Sequence, residues 1–220
     1  MKKIILTSFL GVFLFVSCGK KVDDIKGGES SQEVTKNEIV KPVPPKSEGP
    51  IRVLFVGNSH TEYFASYPEL LKALSKENGK NVEVETLLTM GVSIDKILAD
   101  NKSKADKMFA KTDPDGNYFD YIILQEATPV AIQESDKFIS NSKTVRDLVS
   151  KNSPDVATYV YQLMSPFEYG SSDFKDYQAY IFDNVDNVVK AVPNSGVLNF
   201  ADVLAAAYDS KENYVAKKMM

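Results

Sequence analysis

The sequence predicts an α/β fold: a three-layer α/β/α sandwich around a parallel, doubly wound, flavodoxin-like sheet. Three observations carry this. From Ile51 onward, short β-rich apolar runs alternate with amphipathic helical segments, the pattern of βα units whose helices cover both faces of a parallel sheet. Runs such as IRVLFVG and YIIL are apolar at successive positions, as strands buried on both faces must be. The composition, 43% hydrophobic and 25% charged with 12 Phe and 11 Tyr, supplies enough apolar surface for one sizeable core.

The elements follow in order. IRVLFVG is a strand that ends at Gly57. SYPELLKALSKENG has helical spacing: Leu70, Leu71 and Leu74 share a face, Ser66 caps the start, Pro68 sits in the first turn and Gly79 ends the helix. NVEVETLL alternates Val82, Val84 and Thr86 and reads as a strand. IDKILADNKSKADKMFAK reads as one helix, and TDPDGN as a turn. FDYIILQ is a buried strand, SDKFISNSKTVRDLVSKN a helix and DVATYVYQLM a strand. DFKDYQAYIFDNVDNVVKAV is a long helix, VLNF a short last strand and ADVLAAAYDSKENY a last helix. The chain contains no internal repeat.

The N-terminus has a different logic. Lys2 and Lys3 precede an apolar run from Ile4 to Val16. That run is shorter than the roughly 20 residues a membrane span needs, and reads as a signal peptide over residues 1–17. Cys18, the only cysteine in the sequence, follows at once, then Gly19. This arrangement resembles a bacterial lipoprotein signal. The resemblance implies lipidation at Cys18, export, and a membrane partner through the lipid anchor on the cell envelope, at the outer membrane or cell surface. Residues 18–50 have no aromatic residue and end in KPVPPKSEGP. Such a stretch buries too little apolar surface to offset its ordering entropy, and reads as a disordered tether to a domain over 51–220.

Composition also excludes. A formal net charge of −4 and a pI near 5.2 do not give the basic footprint of a nucleic-acid binder. One cysteine allows no internal disulfide and no cysteine-based metal site. Asp113 and Asp115 of TDPDGN lack the further ligands of a calcium loop, so no metal is implied. No cofactor is implied either, because the first strand-to-helix turn lacks the glycines of a phosphate-binding loop.

In doubly wound sheets ligands sit beyond the carboxyl ends of the strands, so chemistry is sought in the loops there. The first loop, VLFVGNSHT, places Ser59 just past a strand and before a helix. The position suits a nucleophile, but spacing alone favours a helix cap, the usual role of Ser at a strand-to-helix turn. In the second, TLLTMGVSI, Gly91 lets backbone approach a ligand with its N–H. In the third, YIILQEATP, Gln125 and Glu126 stand at the strand end, where a side-chain amide could donate to an oxyanion; a polar cluster starting a helix before Pro129 reads equally well.

Taken together, G-N-S with a Thr two residues later, the Gly91 loop and L-Q-E resemble the SGNH, or GDSL-like, hydrolase superfamily in a bacterial branch. The likeness covers residues 51–209 in the same block order, with YVYQLMSPF and VLNFADVLAAAYD as later segments. It implies that Ser59 is the catalytic nucleophile, and that the N–H groups of Ser59 and Gly91, with the Gln125 side chain, form the oxyanion hole. It also implies a small ester or acetylated glycan as substrate. The Asp-x-x-His block of such enzymes is missing before the final KENYVAKKMM. Two expectations follow: a C-terminally incomplete enzyme, or a noncatalytic glycan-binding surface lipoprotein whose crevice Tyr63, Phe64 and Tyr67 could line, although core packing is the reading preferred for these three. The only histidine, His60, is adjacent to Ser59, and neighbouring residues do not usually direct their side chains at one another.

Overall fold

The computed structural model describes residues 41–46, 49–62 and 66–209. The signal segment, Cys18, Tyr63, Phe64 and the last residues lie outside them. Five parallel strands form one sheet in the order β2-β1-β3-β4-β5: β1 (Ile51–Gly57), β2 (Val82–Leu88), β3 (Tyr121–Leu124), β4 (Ala157–Tyr161) and β5 (Ser195–Leu198). The helices are α1 (Ser59–Glu62), α2 (Tyr67–Glu77), α3 (Ile94–Asp100), α4 (Lys102–Phe109), α5 (Thr128–Gln133), α6 (Ser135–Ser150), α7 (Ser172–Ala191) and α8 (Phe200–Asp209). This is the doubly wound α/β sandwich that the alternating pattern predicts.

β1 lies between β2 and β3, with Val53 opposite Val84 on one side and Tyr121 on the other. It is buried on both faces. Leu54 and Val56, with Ile122 and Leu124 of β3, pack beneath Ile97, Met108 and Val145 of α3, α4 and α6. Val53, Phe55 and Ile123 face the opposite layer, against Tyr67 and Leu71 of α2. A continuous apolar run is the expected sequence of such a strand. α2 begins as the sequence predicts: the Ser66 hydroxyl accepts the Glu69 N–H, and Pro68 occupies the first turn. Gly79, just past its end, has φ +66°, a backbone that glycine adopts without strain.

Three features differ from the sequence reading. The segment 94–111 is two helices, not one. The Asn101 amide donates to Thr89 Oγ1 at 2.8 Å and to the Ile97 carbonyl at 2.9 Å, so a short polar side chain competes with the helix for its own backbone. The TPVAIQ segment is a separate helix, α5, whose end is held by Asn184 of α7 through the Ala131 carbonyl at 2.8 Å and the Ile132 carbonyl at 3.1 Å. The last strand lies two residues earlier than VLNF, at Ser195–Leu198.

The end of the Pro-rich spacer lies docked on the domain over 41–46. Val43 N–H donates to Asn194 Oδ1 and the Asn194 amide donates to the Val43 carbonyl, both at 2.8 Å. Lys46 pairs with Asp113 at 3.2 Å and Asp115 at 3.1 Å. Asn194 and Asp113 precede strands, so these contacts lie at the amino-terminal end of the sheet, opposite the loops that carry Ser59, Gly91 and Gln125. Among the described residues no helix is long and apolar enough to cross a membrane.

Candidate active site

Ser59 is the first residue of α1, a single helical turn that starts at the carboxyl end of β1. Its position depends on the two residues before it. A Cβ on Gly57 would stand 2.8 Å from Thr61 Oγ1 and 2.9 Å from both Cβ and Oε1 of Gln125. Only a glycine allows that approach. Asn58 is 2% exposed and acts at three atoms. Its carbonyl accepts the Thr61 N–H at 3.0 Å and its Oδ1 accepts the His60 N–H at 3.3 Å. Its amide donates to the Val92 carbonyl at 3.0 Å, which ties the first loop to the second beside Gly91. Asn58 therefore caps α1 and leaves Ser59 free of that task. Among the described residues the Ser59 hydroxyl and the N–H groups of Ser59 and Gly91 make no hydrogen bond. Gly91 has φ +72°, with nothing within 4 Å of where a Cβ would stand.

The third loop braces the other two. Gln125, 1% exposed, accepts the Asn58 N–H at 2.7 Å and the Thr61 hydroxyl at 3.2 Å, both through Oε1. Because Oε1 must face the Asn58 N–H, Nε2 faces the other way, and it donates to the Glu126 carbonyl. One donor of the amide that the sequence reading offers to an oxyanion goes here to backbone, and Gln125 serves as a bracket for the Ser59 turn.

Glu126 is fully buried. Its Oε1 accepts the Ile94 N–H at 3.1 Å and the Ala127 N–H at 2.7 Å, and its Oε2 accepts the Asn141 amide at 2.7 Å. It joins the start of α3, just after the Gly91 loop, to α6. Burial outweighs these donors and holds its carboxyl above the usual carboxylate range. The sequence places Gln125 and Glu126 at the strand end but gives no sign of these bonds, whose partners lie up to 67 residues away.

His60 does not reach Ser59. Its ring Nε2 is 2.9 Å from Thr128 Oγ1 at the start of α5, which clips the first loop to the third. Tyr67, Tyr161 and Phe200 form a ring cluster where α2, β4 and α8 meet, with centroids 5.3 Å (Tyr67–Phe200) and 4.9 Å (Tyr161–Phe200) apart. Tyr67 thus packs against other rings. Asp113 and Asp115 serve as partners of Lys46. Among the described residues no three His, Cys, Asp or Glu side chains are grouped to hold a metal ion.

No family model matches the sequence, and no curated protein matches it. Solved structures do match in fold. A lipolytic protein of the G-D-S-L family from Veillonella parvula aligns at TM-score 0.50 and 19% identity, over 72% of this chain and 82% of that one. AlinE4, described as an SGNH-hydrolase family esterase, aligns at TM-score 0.49 and 13% identity, over 76% and 83%. The lipase Lip_vut3 from a goat rumen metagenome aligns at TM-score 0.46 and 12% identity, over 73% and 84%. At these identities the likeness is one of fold.

Proposed function

We propose that this chain, with its SGNH-hydrolase fold, is a serine ester hydrolase of the cell envelope, acting on short acyl esters such as acetylated sugars. The observation that carries the reading is the state of Ser59. It stands at the carboxyl end of β1 with an unengaged hydroxyl, while the residues around it are fixed by a buried hydrogen-bond network. Preorganisation of this kind favours chemistry at a chosen atom.

The steps follow from the geometry. Ser59 Oγ attacks the ester carbonyl carbon as a solvent water takes its proton, and the carbonyl electron pair moves onto oxygen. The N–H groups of Ser59 and Gly91 are the donors available to that oxyanion. As the carbonyl reforms the C–O bond breaks, the leaving oxygen takes a proton from water and departs as the alcohol, and a second water hydrolyses the acyl-Ser59 to the acid and free Ser59. Gln125 and Asn58 act by holding the turn, and Glu126 by holding the second loop. With its ring nitrogen on Thr128, His60 is not placed to take the Ser59 proton. In serine hydrolases that lack a triad member, binding and the oxyanion hole leave about 10³–10⁴-fold acceleration over water. That level is the expectation for the sequence as it stands. The engagement of His60 also favours a second reading, a noncatalytic glycan-binding lipoprotein using the same crevice. Anchorage through the lipidated Cys18 supplies the envelope location in both.

The test is hydrolysis of p-nitrophenyl acetate by the chain and by Ser59→Ala, each with and without added imidazole as a mobile base. Slow hydrolysis that Ser59→Ala abolishes and imidazole raises supports the enzyme. Equal background rates in all arms overturn it in favour of the binding reading. Loss of membrane partitioning in Cys18→Ala checks the anchor separately.

A further inference from the structure

The chain is acidic overall, yet one hollow in the domain is lined by cations. It is open, about 470 Å³ in volume, and formed by Lys72, Lys76, Gly79, Lys80, Asn81 and Val82 at the end of α2 and the start of β2. The lysines there are not needed to finish the helix. Asn78 N–H donates to the Leu74 carbonyl at 3.2 Å, Gly79 N–H to Lys76 at 3.1 Å and Lys80 N–H to Ser75 at 2.8 Å. The last carbonyls are thereby satisfied by backbone. Lys72 pairs with Glu69 at 2.6 Å. Lys76 and Lys80 are exposed, and neither has a carboxylate within ion-pair distance among the described residues. At Gly79 a Cβ would meet nothing within 4 Å, so no side chain closes the hollow. Ammonium groups around an open recess suit a phosphate-type anion.

The hollow has a telling place in the fold. The Asn81 carbonyl accepts the N–H of Ile51, the first residue of β1, at 2.9 Å, so the hollow lies at the amino-terminal end of the sheet. The stretch 41–46 reaches the domain at that same end. At the carboxyl end, with Ser59, the carboxylates of Asp95 and Glu134 face Lys137 at 3.4 and 3.9 Å. Lys76 and Lys80, which have no such partner among the described residues, lie at the end where the preceding chain arrives.

We propose that the Lys72–Lys76–Lys80 hollow binds the phosphate of an anionic phospholipid, so that the domain rests base-down on an acidic membrane surface with its crevice turned outward. Attraction of this type is summed over lysines near the surface and fades within a Debye length. It is independent of chemistry at Ser59.

The test uses the full chain on vesicles of phosphatidylcholine alone or mixed with phosphatidylglycerol, so that the apolar N-terminus is present in both. Amine acylation is read residue by residue by mass spectrometry, with exposed Lys104 and Lys107 of α4 as references. Labelling of Lys76 and Lys80 is expected to fall several-fold on the anionic vesicles and to recover in high salt. In the Lys76→Glu/Lys80→Glu chain, protection of Lys72 is expected to vanish. Equal labelling on both vesicles, or protection of Lys72 that survives the charge reversal, overturns the proposal. If inorganic phosphate on phosphatidylcholine vesicles protects as well as phosphatidylglycerol does, the hollow takes a soluble anion and membrane docking is overturned. The readout is labelling, so its failure is distinct from failure of ester hydrolysis.

Discussion

The two ends of the sheet are held together by different physics. At the carboxyl end, buried amide and carboxyl groups of Asn58, Gln125, Glu126 and Asn141 join three loops, with donors and acceptors matched inside the protein. At the amino-terminal end, ion pairs join the elements: Arg52 reaches Glu83 and Asp113, Lys46 reaches Asp113 and Asp115, and Lys111 reaches Glu85, with Arg52, Lys46 and Asp113 half-buried and Glu83 and Asp115 exposed. A buried network loses the desolvation cost of every partner it strands, whereas exposed ion pairs contribute little and are screened by salt. The contrast teaches where precision is needed: around Ser59 the backbone is fixed by bonds that cannot be exchanged for water.

Substitutions can break or sharpen this comparison. The largest effect is expected from Glu126→Leu, which leaves the Ile94 and Ala127 N–H groups and the Asn141 amide without an acceptor. At about 1–3 kcal/mol for each stranded group, urea unfolding should show a loss of about 3 kcal/mol or more; a loss below about 1 kcal/mol would break the comparison. Gly57→Ala comes next. The atoms its Cβ meets belong to Gln125 and Thr61, which are themselves held, so an overpacking loss of about 1–3 kcal/mol is expected, read from the same unfolding curves.

The third prediction concerns pH. Burial raises the folded pKa of Glu126. A raised folded pKa means that the stability linked to its proton is fully present below the unfolded value, near about 4.3. That stability is lost as pH rises through the folded pKa. The difference in stability between Glu126→Gln and the parent should therefore change across that window, by at most about 1.4 kcal/mol per pH unit, and be flat below it. A flat difference throughout would show that the carboxyl titrates normally.

The smaller effects belong to the other end. Asn194→Gly keeps a backbone that tolerates φ +49° but removes both bonds to Val43 and the longer amide bonds to the Asp155 and Val156 carbonyls. About 1 kcal/mol is expected, together with faster proteolysis at 41–46. Lys46→Ala should do least, shifting the urea midpoint only slightly and not at all in molar salt; a salt-independent shift would mean that its packing, not its charge, matters.

How much was legible depended on range. β1, β2 and α2 could be read directly, because Gly57, Ser66, Pro68 and Gly79 mark boundaries through local backbone chemistry. The break at Asn101 was not legible, since it depends on Thr89, twelve residues earlier and on another element. α5 was hidden because its six residues give too little periodicity. At the site, the sequence put Ser59, Gly91 and Gln125 at three strand ends, and the fold places those loops together. The role of Gln125 was not visible. Only the register of β3 against β1, with Leu124 beside Val56, brings its Oε1 under the Asn58 N–H. Asn58 carries no local signal of its role, because a polar residue between glycine and serine is ordinary turn composition.

The ring cluster of Tyr67, Tyr161 and Phe200 has a practical side. The protein has no tryptophan, so its near-ultraviolet signals come from tyrosine and phenylalanine. Rings held close in one fixed arrangement lend optical asymmetry to those bands. These three rings come from α2, β4 and α8, so a Phe200→Leu chain should lose this cluster's share of the near-ultraviolet circular dichroism, while pairs such as Tyr121–Tyr159 and Tyr118–Phe119 keep theirs. The seating of α8 can thus be followed as a partial loss of that signal, without a label.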